Sequence, residues 1–328
     1  MERIEVDPTS PDPYAIARAA AVLVSGGLVA FPTETVYGLG AHALDPTAVE
    51  RIYAAKGRPS YNPLIVHVAT PDDVHRVARH WNSRADALAA AFWPGPLTLV
   101  VPKRDEVPDA ATAGLPSVAV RVPSHPVAHA LLVAANIPVA APSANRSMLL
   151  SPTTAHHVAK SLGESVDVLL DAGPTGVGIE STVVDVSGDV PVLLRPGTIT
   201  LPELERVVGE IRLAAHVRDG VARASPGMLD RHYAPRAKLS LVASRDVNGA
   251  IETARRRGAK VGALLFDAAS GDAPLVITMP RDPLAYASRL YASLHDLDDL
   301  ECDEIVVERV PEDVEWLGVR DRLERAAR

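Results

Sequence analysis

One cysteine, Cys302, is all the thiol chemistry available to this 328-residue chain. An intrachain disulfide is therefore excluded, and so is a metal site built on several thiolates. Aromatic residues are scarce too, at 4%, so the core must be assembled mainly from Val, Leu, Ile and Ala. No apolar run approaches the roughly 20 residues that cross a bilayer. The start, MERIEVDPTS, lacks the basic-then-apolar pattern of a signal peptide. A cytoplasmic protein with no membrane partner is the expectation. Positive charge is also in deficit: 33 basic against 41 acidic residues give a formal charge of −8. That argues against a general nucleic-acid coat protein, while leaving room for a locally basic pocket. The common signatures G-x-x-x-x-G-K-[ST], H-E-x-x-H and C-x-x-C are missing, and no G-x-G-x-x-G follows a strand. The nucleophile-elbow pattern G-x-S-x-G is missing as well, which weakens any Ser-His-Asp reading.

What is present fits a soluble α/β protein of two domains. Residues 1–12 read as a loose, polar lead-in. Pro13 to Val24 is a helix pattern stopped at Gly26-Gly27, and Leu28 to Phe31 is a short apolar strand that delivers the loop PTETVYGLG. Asp45-Pro46 opens a helix that ends near Lys56-Gly57. Thr70 begins another, with a carboxylate three residues on. Further helices are predicted over 83–92, 127–135 and 155–162, and strands over 64–68, 97–101, 118–122, 139–141, 168–170, 182–186 and 192–194. Thr200-Leu201-Pro202-Glu203 has the form of a capping box. The pattern breaks over 213–237, read as an ordered linker. Beyond it, strands near 239–242, 261–265, 276–279 and 305–307 alternate with helices near 247–257, 283–297 and 313–326. This alternation implies a small parallel or mixed sheet carrying helices.

Polar residues gather on loops between apolar segments, where a rigid scaffold can present them. KGRPSYNP places Lys56 and Arg58 on one loop, with Asn62 and His67 close by. A planar guanidinium fork beside a mobile ammonium suits phosphate, although surface cations are ordinarily just solvated. Arg121 sits in the apolar strand SVAVRVP, where a charge needs a partner or an anionic ligand unless it faces outward. Arg195 repeats that placement in LLRPG. The loop APSANRSMLLSPTT offers Ser143, Asn145, Ser147 and Ser151, which serve equally well as turn and helix-cap chemistry. GIEST adds Glu180, Ser181 and Thr182.

Taken together and in order, PTETVYGLG, KGRPSYNPLIVH, PGPLT, VAVRVP, PSAN with a following SPT, GIESTVVD and LRPG resemble the threonylcarbamoyl-AMP synthase family. The motifs cover roughly residues 14–236, and SPGMLDRHYAP is similar to the linker of that family's long, two-domain form. The resemblance implies a YrdC-like twisted open mixed sheet with helices over 13–212, a linker over 213–237 and a smaller Rossmann-like α/β domain over 238–328. It implies condensation of L-threonine, bicarbonate and ATP, with Mg2+ accompanying the ATP, to threonylcarbamoyl-AMP and pyrophosphate. The product would pass to a tRNA threonylcarbamoyl transferase. It further implies a threonine site at Thr35, His67, Arg121, Ala141 and Ser181. An ATP site is implied at Arg58, Asn62, Ser117, Ser143, Ser151 and Arg195, with Lys56 facing phosphate and Tyr233 closing over the nucleotide. No residue stands out as an obligatory nucleophile or base, so Lys56 and Arg58 are expected to act as charge stabilisers. One departure is visible: Met148 follows Ser147 where the family usually has glycine. The rival reading is a non-catalytic RNA-binding or regulatory protein of the same fold.

Overall fold

Burial of alternate residues on opposite faces organises the first sheet of the computed structural model, which describes residues 1–214, 233–267 and 275–328. Its elements, in order, begin with β1 (Glu2–Glu5), α1 (Pro13–Val24), β2 (Val29–Phe31), β3 (Gly38–His42), α2 (Pro46–Lys56) and β4 (Ile65–His67). They continue with α3 (Ser83–Phe92), β5 (Leu97–Pro102), α4 (Asp109–Thr112), β6 (Ser117–Arg121), α5 (Pro126–Ala135) and β7 (Val139–Ala140). The region closes with α6 (Ala155–Leu162), β8 (Val168–Asp171), β9 (Thr182–Asp185), β10 (Val192–Arg195), α7 (Leu201–Val208) and β11 (Arg212–Leu213). Among the described residues these strands form one 11-stranded mixed sheet, ordered β1-β8-β2-β3-β7-β4-β6-β5-β9-β10-β11.

In β2, Val29 and Phe31 pack with α1 and α5 on one face, whereas Ala30 points into a core shared with α2, α3 and α6 on the other. A strand buried on both faces reads as continuously apolar, as VAF does. Helix starts follow the capping logic of the sequence. Asp45 accepts from the Thr47 and Ala48 amides, and Thr200 and Glu203 close a capping box.

The second sheet is smaller and all-parallel. It contains β12 (Lys238–Val242), α8 (Val247–Arg256), β13 (Val261–Leu265), β14 (Leu275–Thr278), α9 (Pro283–Asp299), β15 (Glu304–Glu308) and α10 (Leu317–Ala326), with strand order β12-β15-β13-β14. Parallel pairing requires crossovers, and α8 provides the one from β12 to β13 and α9 the one from β14 to β15.

Two expectations are corrected. Residues 2–5 are not a loose lead-in: they form β1, paired in parallel with β8 from Glu2 opposite Val168 to Glu5 opposite Asp171. The PTETVYGLG stretch is not all loop, because its end is β3, antiparallel to β2. Glycine obscured that strand. A Cβ on Gly40 would stand 2.8 Å from the Phe31 ring and 2.9 Å from Val139, so close packing demands glycine in mid-strand. Of the segment 213–237, Leu213 belongs to β11, and residues 215–232 lie outside the described residues.

Docking of the second sheet's helices on the first region is equally tight. A Cβ on Gly178 would meet the Ala287 carbonyl at 2.5 Å, and one on Gly318 would meet the Gly197 carbonyl at 2.6 Å. The glycine-rich AGPTGVG run thus lets α9 approach backbone to backbone.

Candidate active site

A cleft opens on one face of the central strands, and side-chain alternation explains its lining. In β4 and β6 the in-register pairs Ile65–Ala119 and His67–Arg121 share a face, while Val66, Val118 and Val120 point into the main core. Ala141, just past β7, joins that face through its amide bond to the Ile65 carbonyl. From the other side come Ser181, immediately before β9, and Arg195, at the end of β10. A register shift between Leu193 and Arg195 lets Arg195 follow Leu194 towards the same side. Thr33, Thr35, Val36, Gly38, Arg58, Pro142, Ser143, Glu180 and Tyr233 complete the lining among the described residues.

The loops are fixed by bonds made before any ligand arrives. Thr33 Oγ1 lies 2.8 Å from Thr35 Oγ1 and donates to the Val36 carbonyl at 2.6 Å. The Val177 and Gly178 amides donate to the Glu34 and Thr35 carbonyls at 2.7 and 3.1 Å. Ser181 Oγ is 2.8 Å from Thr98 Oγ1 and accepts from Arg195 Nη2 at 3.1 Å. Hydroxyls and guanidinium groups therefore reach the cleft pre-oriented.

Charge in the cleft runs opposite to that of the whole chain. Arg58, Arg121 and Arg195 are all buried and all line it, against the one carboxylate, Glu180, that lines it among the described residues. Burial pulls the Arg58 guanidinium down to about 10. Burial alone would raise the Glu180 carboxyl, but Arg322 and then Arg195 outweigh it and hold it at about 2. Arg121 Nη2 stands 2.7 Å from Glu34 Oε1, yet neither atom makes an aligned hydrogen bond among the described residues. His67 Nδ1 is also buried without a partner there. A buried fork and a buried imidazole nitrogen with unused donor or acceptor capacity mark a place for a polar ligand.

Burial, reinforced by Arg121, pushes His67 down to about 3, so the imidazole is neutral at working pH. The stacked pair His157 and His295, with ring centroids 3.8 Å apart, is likewise held at about 3 and about 4, first by burial. An unfolded chain protonates these rings near 6.5 and the folded one does not, so their stabilising contribution is complete above 6.5 and is lost as pH falls towards 4–3. For His67 alone the loss between pH 7 and pH 5 is on the order of 2 kcal/mol. Thermal midpoints recorded across that range should fall with acidification; a midpoint unchanged at pH 5 would contradict the buried, neutral assignment.

Not every expected residue reaches the cleft. Thr35, His67, Arg121, Ala141, Ser181, Arg58, Ser143, Arg195 and Tyr233 line it; Lys56, Asn62, Ser117 and Ser151 do not. The Lys56 ammonium, buried, donates to the Ser143 and Asn145 carbonyls, so it braces the PSAN loop. The Asn62 carbonyl accepts from Arg58 Nε at 3.0 Å. Ser151 is fully buried and gives its hydroxyl to Glu180. Met148 has φ 70, in the left-handed region where glycine is at ease, so the loop keeps a glycine-type turn at a cost of about 1–2 kcal/mol. Sequence reasoning named Glu180 among the polar loop residues without assigning it a ligand, and gave no role to its partner Arg322. A carboxylate embedded in the apolar GIESTVVD run was the available signal for the first; nothing local marks the second.

Known proteins resemble this chain in sequence and in fold. Residues 21–197 match the family model described as "Telomere recombination", and residues 199–328 match "Threonylcarbamoyl-AMP synthase, C-terminal domain". The threonylcarbamoyl-AMP synthase of Pyrococcus abyssi is 43% identical over 96% of this chain and 94% of its own length. This chain belongs to the threonylcarbamoyl-AMP synthase family. The family's Bacillus subtilis member is 42% identical over 98% of this chain and 95% of its own length. The crystal structure of P. abyssi Sua5 complexed with L-threonine matches at a TM-score of 0.95 and 41% identity, covering 100% of this chain and 98% of that one. Escherichia coli YciO, at 24% identity and a TM-score of 0.53, shares the fold over 60% of this chain and 96% of its own.

Proposed function

We propose that this protein is the enzyme that condenses L-threonine, bicarbonate and ATP into L-threonylcarbamoyl-AMP, a nucleotidyl transfer that releases pyrophosphate. The observation that carries the reading is the convergence of Thr35, His67, Arg121, Ala141 and Ser181 with Arg58, Ser143, Arg195 and Tyr233 on one cleft. Arg121 offers a fork for the amino-acid carboxylate, and Thr35 and Ser181 offer hydroxyls for its polar groups. Arg58 and Arg195 place two buried cations for a triphosphate. Tyr233 closes the cleft from the end of the linker.

In the proposed sequence the threonine amine attacks bicarbonate, losing water to give a carbamate, and a carbamate oxygen then attacks the α-phosphorus as pyrophosphate leaves. The chain's contribution is orientation and stabilisation of developing negative charge in a partly dry cleft. Neutral His67 can accept or donate a hydrogen bond without adding charge beside Arg121. Among the described residues no three His, Cys, Asp or Glu side chains cluster as a ready-made metal site, and Glu180 and Glu34 are each engaged by an arginine. In this reading Mg2+ accompanies the ATP phosphates. Delivery of the product to a tRNA threonylcarbamoyl transferase in the cytoplasm is part of this reading, as are a catalytic unit over 13–212 and a C-terminal unit over 238–328. Among the described residues no helix is long and apolar enough to cross a membrane. Burial of all three cleft arginines weighs against a plain RNA-binding role, which needs cations spread over a surface.

The test is purified protein with ATP, Mg2+, bicarbonate and threonine. Pyrophosphate release that requires threonine is expected. Release indifferent to threonine from folded protein defeats the assignment.

A further inference from the structure

One buried cation near the cleft does not come from the first sheet's region at all. Arg322, on α10, is 1% exposed, among the lowest of the buried charged residues, and its guanidinium reaches across the interface. Its Nε donates to Glu180 Oε2 at 2.7 Å, its Nη1 to the Pro196 carbonyl at 3.0 Å and to Asp321 Oδ2 at 2.7 Å, and its Nη2 to the Glu180 carbonyl at 3.4 Å. Its Cζ lies 5.1 Å from the centre of the Tyr233 ring. One planar fork thus ties together two backbone segments, at Glu180 and Pro196. Their neighbours Ser181 and Arg195 face the cleft and are bonded to each other.

Helix α9 grips the same wall. Tyr291 donates its hydroxyl to Glu180 Oε2 at 3.1 Å, and one turn later His295 Nε2 lies 3.1 Å from the Ser151 carbonyl. Both Glu180 oxygens are therefore occupied, one by Ser151 and the other by Arg322 and Tyr291. Gly178 against α9 and Gly197 against Gly318 show that these two segments are shaped for the helices that cover them.

We propose that Arg322 is a positioning residue for the synthesis reaction. By tying Glu180 to Pro196 across the domain interface, it fixes the relative placement of Ser181 and Arg195, so that the C-terminal domain supplies the back wall of the active site. The inference rests on the synthase reading and deepens it. Lysine in its place keeps a positive charge beside Glu180 but cannot hold a side-chain carboxylate and two carbonyls in one plane. A misplacement of about 1 Å at a reacting centre is enough to cost about 100-fold in rate.

The experiment uses the full chain and three variants, Arg322→Lys, Arg322→Met and the double variant Arg322→Met with Glu180→Gln. Thermal midpoints, calorimetric affinities for ATP and for threonine, and kcat and KM for pyrophosphate release are measured for each. Arg322→Lys is expected to stay folded, with a midpoint within a few degrees of the parent and kcat lowered by about 100-fold. The double variant, freed of the uncompensated carboxylate, should recover midpoint relative to Arg322→Met and yet stay slow. A folded Arg322→Lys or double variant with kcat and both KM values within about twofold of the parent overturns the proposal; Arg322 is then only a structural tie. Should the parent chain release no threonine-dependent pyrophosphate, the synthase reading fails by itself. ATP or threonine affinity then decides the positioning claim: a roughly tenfold weakening in Arg322→Lys supports it, and unchanged affinity for both overturns it.

Discussion

Arg121→Ala is expected to lower kcat/KM for threonine by about 100-fold or more while changing ATP affinity little, as judged by initial rates of pyrophosphate release and by nucleotide titration. The guanidinium is 5% exposed and sits in register beside His67, at the point where the cleft crosses β4 and β6. A buried fork whose Nη2 makes no aligned hydrogen bond has capacity left for a carboxylate. Truncation removes that capacity and also strips Glu34 of its cation, leaving among the described residues the Ser124 amide, 3.2 Å away, to satisfy it. Arg121→Ala combined with Glu34→Gln removes the second effect. If the double variant regains thermal stability but not threonine affinity, the fork itself carries substrate recognition. Threonine affinity equal to the parent's in that variant would place the amino acid elsewhere.

The second large effect is at Arg58. Arg58→Ala should weaken ATP usage by about 100-fold in kcat/KM and should also lower the thermal midpoint. Both consequences share one cause. Nε donates to the Asn62 carbonyl at 3.0 Å and Nη2 to the Pro63 carbonyl at 2.8 Å, so the side chain that lines the cleft also fastens the turn leading into β4. The Asn62 carbonyl keeps the Tyr53 hydroxyl at 3.0 Å, but a buried Pro63 carbonyl stripped of the Arg58 donor costs about 1–3 kcal/mol. Arg58→Gln retains some donor capacity for those carbonyls but carries no charge, so it should recover part of the midpoint and none of the ATP rate. Recovery of ATP turnover in Arg58→Gln would show that charge at this position is dispensable.

The region of the first sheet was largely legible because its signals are local. Asp45 and Thr200 begin helices for reasons contained in four residues, and the alternation of SVAVR by itself puts Ala119 and Arg121 on one face. Local signals also misled. GLG reads as turn although Gly40 lies in β3, where a neighbouring ring and a valine leave no room for a side chain. Lys56 looks like a phosphate ligand until the Ser143 and Asn145 carbonyls are found on its ammonium. Least legible were features created by distance along the chain. Glu180 meets Arg322 across 142 positions, and no spacing rule connects them. The glycines of AGPTGVG invite a phosphate-loop reading, but at least Gly178 is small because a helix from the second domain rests against it.

Pairing of β1 with β8 has a consequence for synthesis on the ribosome. Among the described residues the four-residue strand beginning at Glu2 finds its only ladder partner at Val168–Asp171, and β2 also pairs with that strand. At about 5–20 residues per second, β1 emerges on the order of 10–30 seconds before its partner does. An apolar strand left open for that long would invite pairing with other nascent chains. ERIE is three-quarters charged, and Arg3 later finds Asp171 on the late-arriving strand. The charges that hid β1 as a strand also suit it to waiting in solvent, and its closing pair is made only when the far side of the sheet has been translated.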